Sequence, residues 1–85
     1  MTKKPIVAGN WKMNKTPLET LTFINDIDKL VSNNGVVDII ISPPYTSLSN
    51  IESRLSVSIA AQNCHWEDAG AFTGEISVKM LKGCG

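Results

Sequence analysis

Residues Thr16 to Ile41 read TPLETLTFINDIDKLVSNNGVVDIII and join a helix to a strand. Thr16-Pro17-Leu18-Glu19 is a helix start. Thr stands at the N-cap, Pro at the first helical position, where no N–H is needed, and Glu three residues after the cap closes a capping box. Leu18, Leu21, Ile24, Ile27 and Val31 follow at spacings of three and four, which places them on one apolar face, and Phe23 and Leu30 widen it. The spacing predicts a helix over 17–31. Ser32-Asn33-Asn34-Gly35 ends it, with Gly35 suited to a left-handed C-terminal cap. Val36-Val37-Asp38-Ile39-Ile40-Ile41 is β-branched and barely alternating. That pattern fits a parallel strand near 37–41 covered on both faces.

The same scheme extends in both directions. Ile6-Val7-Ala8 predicts a first strand near 6–9. Ser42-Pro43-Pro44 stops the second strand. Leu48, Ile51 and Leu55, with a capping-box spacing from Ser49 to Glu52, then predict a helix near 46–55. Val57 to Ala61 reads as a third strand. A last helix is expected over 74–82, with Ile76, Met80 and Leu81 on its core face and Gly83 as its stop. The order βαβαβα implies parallel strands joined by right-handed crossovers, an α/β protein. Three parallel strands have two open edges, so the unit is incomplete on its own. The expectation is the front third of a larger α/β domain, poorly folded alone because apolar helix faces are left bare, with a complete three-stranded miniature domain as the alternative.

Composition excludes several functions. The 85 residues hold eight Lys plus Arg and eight Asp plus Glu, for a net charge of zero. A nucleic-acid binder needs a basic surplus to displace counterions. No apolar run approaches a bilayer span, and Ile6-Val7-Ala8 is shorter than a secretory h-region. Neither a nucleic-acid nor a membrane partner is expected. Cys64 and Cys84 are too few to staple a small secreted fold and read as reduced thiols, so the expected location is cytoplasmic. Cys64-His65 with Glu67, Asp68 and Cys84 fits no standard zinc spacing, so no metal is expected. No phosphate-loop or dinucleotide glycine motif is present in the sequence. Trp11 and Trp66 read as packing residues, Trp11 covering the first strand under the first helix.

Polar residues collect where the strands end. The first strand leads into Asn10 and Lys12, the second into Ser42, the third into Gln62 and Asn63. Carboxyl ends of parallel strands are where such folds bind ligands. In extended chain Asn10 and Lys12 point one way while Gly9 and Trp11 point the other, so an amide and an ammonium converge. A lysine is a compact charge suited to a phosphate or to a developing oxyanion. The first 18 residues hold four lysines and no acid. The plain alternative is a solvated lysine at a strand end.

Val7-Ala8-Gly9-Asn10-Trp11-Lys12-Met13-Asn14 resembles the first strand-and-loop motif of the triosephosphate isomerase family. Ile41-Ser42-Pro43-Pro44-Tyr45 resembles that family's second strand end. Ala61-Gln62-Asn63-Cys64, followed by Gly70-Ala71-Phe72-Thr73-Gly74-Glu75-Ile76-Ser77, resembles its third strand and long loop. The resemblance implies the first three βα units of a (β/α)8 TIM barrel of about 250 residues. It also implies an intramolecular aldose–ketose isomerase of glycolysis and gluconeogenesis, which interconverts dihydroxyacetone phosphate and glyceraldehyde 3-phosphate through an enediolate without a cofactor. Carried over by position, Asn10 and Lys12 would contact the substrate, and Lys12 would be the catalytic cation. The family's proton-handling histidine and glutamate follow its fourth and sixth strands. His65 does not match that histidine, so the 85 residues alone are expected to be inactive.

The resemblance further implies a homodimer. Phe72, Thr73, Gly74 and Glu75 would form a tip docking near the partner's first loop, with Met13, Asn14, Gln62 and Asn63 in the same interface. Two other functions stay open on the residues alone. One is a non-enzymatic module pairing its open strand edges with a partner. The other is a different phosphate-handling barrel enzyme.

Overall fold

The computed structural model describes residues 3–51 and 55–85. Strand β1 (Ile6–Asn10) leads into helix α1 (Pro17–Val31), and strand β2 (Asp38–Ser42) follows. A 3-10 helix (Tyr45–Asn50), strand β3 (Ser58–Ile59) and helix α2 (Val78–Gly83) complete the order. The three strands form one parallel sheet in the order β1-β2-β3. Ile6 pairs with Asp38 and Asn10 with Ser42 at the two ends of the β1–β2 ladder, whereas β3 joins through Ile40–Ser58 and Ile41–Ile59 alone. Among the described residues, no helix is long and apolar enough to cross a membrane.

Helix α1 begins as its sequence dictates. The Thr16 hydroxyl accepts from the Glu19 N–H, and the Glu19 carboxylate accepts from the Thr16 N–H at 3.0 Å. Its buried side is narrower than the apolar spacing predicts. Ile24 and Thr20 are buried, with Ile27 and Val31 partly covered, while Leu18 and Leu30 are 74% and 80% exposed. The buried line passes through Thr20, which no hydrophobic pattern marks. Thr20 spends its only hydroxyl proton on the Thr16 carbonyl at 2.8 Å, so Ser47 donates across the 3.0 Å contact joining α1 to the 3-10 helix.

The core gathers Ile24, Ile41 and Val57, with Trp11, Ile39, Leu55 and Ile59 packed against it. Ile39 and Ile41 lie on the face that α1 covers, and Ile40 on the alternate face is half-buried. The double coverage expected of β2 is therefore half met within this chain.

Four local expectations are corrected. The turn after α1 is closed by Asn34, not by a left-handed Gly35: Asn34 Nδ2 donates to the Val37 carbonyl at 2.8 Å and Oδ1 accepts from the Val36 N–H at 3.0 Å. The helix expected over 46–55 is a 3-10 helix, and Ile51 is already extended. Pro44 sets its entry and Thr46, Ser47, Ser49 and Asn50 are weak α-formers that compete for backbone groups. The Glu52 half of its supposed capping box lies outside the described residues. Strand β3 is shorter than 57–61: its last main-chain bond to β2 runs from the Ala60 N–H to the Ile41 carbonyl, and Gln62 then meets the Ser42 carbonyl through its side-chain amide.

The fourth correction concerns α2, which starts at Val78 rather than near Gly74. The His65 N–H donates to the Ile76 carbonyl at 2.7 Å and keeps this stretch extended, so Ser77 becomes the cap, its hydroxyl accepting from the Met80 N–H. Gly83 is the last residue inside the helix, not its stop, and Met80 is exposed rather than on a core face.

Candidate functional site at the carboxyl end of the sheet

The strand ends come together past Asn10, Ser42 and Ile59. Strand β1 stops at Asn10, and Lys12 takes φ 56°, a left-handed backbone that non-glycine residues rarely adopt. Simple alternation along a strand therefore does not place Lys12. Hydrogen bonds do. Asn10 Oδ1 accepts from the Lys12 N–H at 2.9 Å. Gln62 Nε2, three residues past β3, donates to the Lys12 carbonyl at 3.0 Å and to the Ser42 carbonyl at 2.9 Å. The Trp11 N–H also donates to the Ser42 carbonyl, at 3.1 Å. One glutamine thus ties all three strand ends around Lys12.

The following loop is equally constrained. Lys15 is left-handed as well, at φ 74°, and its ammonium lies 5.8 Å from the Trp11 ring centroid and 5.4 Å from that of Phe23. Trp11 and Phe23 meet edge to face at 5.2 Å, so Trp11 packs under α1 as its spacing predicts. Asn14 Nδ2 donates to the Trp11 carbonyl at 2.8 Å, and Met13 is 95% exposed.

Chemically this end presents donors. The Asn10 oxygen is engaged by the Lys12 N–H, and among the described residues its NH2 group has no hydrogen-bond acceptor and Lys12 forms no ion pair. An exposed amide NH2 on Asn10 and an exposed ammonium on Lys12, two residues on, favour an anion at this end of the sheet. An apolar groove of about 560 Å³ lies elsewhere, along β3 and α2, lined by Leu55, Ile59, Ala61, Val78, Leu81 and Cys84. It contains neither Asn10 nor Lys12.

The remaining expected residues lie on the loop between β3 and α2. Asn63, Phe72, Thr73, Gly74 and Glu75 are exposed, and Gln62 is half-buried with its amide committed to Lys12 and Ser42. The Glu75 N–H donates to the Phe72 carbonyl across a turn in which Gly74 takes φ 85° and Thr73 does not, the pattern of a type II turn. Gly70 is obligatory: at φ 145° a Cβ would also sit 2.7 Å from the Phe72 ring. His65 lies between Trp66 and Phe72, each ring centroid 4.5 Å away, with Nδ1 3.6 Å from Glu75. Trp66, read as a packing residue, is instead 85% exposed and covers His65. Tyr45, the first residue of the 3-10 helix, has its phenol pushed up by burial and by the nearby Cys64 and Glu75, so it stays a neutral hydroxyl.

Sequence reasoning missed how Lys12 is held. No glycine marks the left-handed positions at Lys12 and Lys15, and the tie from Gln62 spans 50 residues.

Comparison with known proteins places this arrangement. The profile of the triosephosphate isomerase family matches residues 5–85. Triosephosphate isomerase of Alkaliphilus metalliredigens is 52% identical over 98% of this chain and 34% of its own length. That of Finegoldia magna is 50% identical over the same shares. The crystal structure of triosephosphate isomerase from Bartonella henselae superposes with a TM-score of 0.87 at 38% identity, covering 98% of this chain and 35% of that one. The chain spans about a third of the length of the relatives it matches. Its open sheet of three parallel strands with their crossover helices is accordingly part of a TIM barrel. With its profile matched from residue 5 to residue 85, the chain belongs to the triosephosphate isomerase family.

Proposed function

We propose that this chain supplies the electrostatic part of a triosephosphate isomerase site, in which dihydroxyacetone phosphate and glyceraldehyde 3-phosphate interconvert through an enediolate. The observation that carries the reading is Lys12, fixed in a left-handed backbone between Asn10 and Gln62 at the carboxyl end of a parallel sheet. Removing a proton from the substrate carbon places negative charge on the adjacent oxygen. A pre-positioned ammonium stabilises that charge without reorganising, and the same cation balances the phosphate dianion. Asn10 offers its NH2 group to orient the substrate. Proton transfer itself falls to the histidine and glutamate that the family carries after its fourth and sixth strands. The exposed Met13, Asn14, Asn63, Phe72 and Thr73 support a homodimer in which the tip at Phe72 to Glu75 meets the partner's first loop.

The test is a chimera in which residues 1–85 replace the matching third of the Bartonella henselae enzyme. Lys12→Ala is expected to lower its kcat/KM by roughly 100- to 1,000-fold, as for removal of a principal oxyanion partner, with circular dichroism unchanged. Turnover that survives Lys12→Ala at the parent level overturns the assignment. Residues 1–85 alone are expected to show no turnover beyond buffer and free-lysine controls.

A further inference from the structure

The sequence holds seven asparagines, at positions 10, 14, 25, 33, 34, 50 and 63, and Asn34 alone is followed by glycine. Asn34 and Gly35 are both exposed, in the turn between α1 and β2. Oδ1 of Asn34 accepts from the Val36 N–H at 3.0 Å and from the Val37 N–H at 3.4 Å, while Nδ2 donates to the Val37 carbonyl at 2.8 Å. The side-chain amide is thereby folded back over the main chain that follows it. Among the described residues the Gly35 N–H has no hydrogen-bond acceptor.

We propose that Asn34-Gly35 is a site of spontaneous deamidation in the native protein. The Gly35 nitrogen, giving up its proton, attacks Cγ of Asn34, and a nitrogen–Cγ bond forms. The Cγ–Nδ2 bond then breaks, and Nδ2 leaves as ammonia with that proton. Water opens the five-membered succinimide at either carbonyl and leaves aspartate or isoaspartate. The balance is one water consumed and one ammonia released. Two features of the turn favour the attack. Glycine has no Cβ to obstruct the approach of its nitrogen. The Val36 and Val37 N–H groups point at the oxygen on which negative charge develops as Cγ becomes tetrahedral.

The consequence is confined to one end of the sheet. Aspartate at position 34 loses the donor that held the Val37 carbonyl, and isoaspartate also lengthens the main chain by one methylene. Asp38, the first residue of β2, starts immediately after this turn, and its N–H donates to the Pro5 carbonyl at 2.9 Å. Asn10, Lys12 and Gln62 lie beyond Ser42 at the other end of that strand. The modification therefore loosens the amino-terminal edge of β2 and leaves the Lys12 geometry in place.

The experiment is incubation of the chimeric barrel that carries residues 1–85 at mildly alkaline pH, read over those residues by peptide mapping with mass spectrometry and by methylation with an isoaspartate-specific methyltransferase. The expected result is replacement of NH2 by OH at Asn34 and at none of the other six asparagines. The folded chain should react at least as fast as the urea-unfolded one. Gly35→Ala is expected to bring Asn34 down to the level of the other six. That variant is sterically admissible, since a Cβ at Gly35 meets nothing within 4 Å and its φ is not left-handed. An unmodified Asn34, an unchanged rate in Gly35→Ala, or protection by the native fold overturns the proposal.

Discussion

The two sides of β2 are built differently. On one side, β1 pairs with it through five residues, and α1, fifteen residues long with a complete capping box, lays Ile24 against Ile41. On the other, β3 pairs through two residues, and α2 is six residues long and has no buried residue. A groove of about 560 Å³ opens along that second side. The contrast teaches that a βα unit with strong local signals and a full ladder organises itself. The unit at the end of the described sheet waits for a neighbour, because a parallel edge strand has half its backbone groups unpaired.

The largest test of this contrast is in the core. Ile24→Ala is expected to abolish the cooperative urea transition of residues 1–85, since a fully buried aliphatic side chain contributes about 3–4 kcal/mol and the isolated unit has little stability to spare. Ile59→Ala, on half-buried β3, is expected to remove less than about 2 kcal/mol. Repeating both in the chimeric barrel sharpens the comparison. If the missing neighbour explains the difference, the gap narrows there. Equal losses in the isolated chain break the contrast.

A smaller effect separates the two helix caps. Thr16→Ala is expected to cost about 1 kcal/mol and Ser77→Ala about half that, since α1 carries a reciprocal box and α2 a single serine bond. The α1 box also depends on pH. The Thr16 N–H, followed by the Thr16 hydroxyl and the charge of Lys15, lowers the Glu19 carboxyl despite some desolvation. A lowered folded value means the stabilisation is present above the unfolded glutamate range and is lost as pH falls through the folded value. The melting temperature of the parent should therefore drop on acidification below that range, and Glu19→Gln should flatten the drop. Identical acid profiles for the two proteins would count against the box.

The smallest effect probes the loop that carries Lys12. Lys15→Ala keeps the left-handed backbone and loses the cation over Trp11 and Phe23, with an expected cost of about 0.5–1 kcal/mol. Lys15→Gly loses the same cation but relieves about 1 kcal/mol of left-handed strain, so it is expected to be the more stable of the two. The opposite order in thermal melts would show that the loop, not the residue, sets this conformation.

Much of the first side was legible because its signals lie within a few residues of one another. The start of α1 at Pro17 follows from Thr16 and Glu19, and the β-branched run at Ile39-Ile40-Ile41 follows from propensity. The second side was less legible. His65 meets Ile76 across eleven residues and delays α2 to Val78, and β3 stops at Ile59, beyond which Gln62 reaches the Ser42 carbonyl with its side chain. Thr20 was illegible for a related reason: a hydroxyl is buried only where another hydroxyl waits, and Ser47 stands 27 residues away.

The candidate site divides along the same line. Asn10 and Lys12 could be picked out by residue type at a strand end, and by resemblance to a family motif. Their arrangement could not, because the geometry of Lys12 depends on a left-handed backbone that no glycine announces. The sequence by itself determined β1, α1 and β2, the parallel order and the identity of the charged residue, since each rests on local propensity and spacing. Tertiary structure alone decided which carbonyls Gln62 holds, where β3 stops and how Lys12 is presented, because those hydrogen bonds join residues that only the closed sheet brings together.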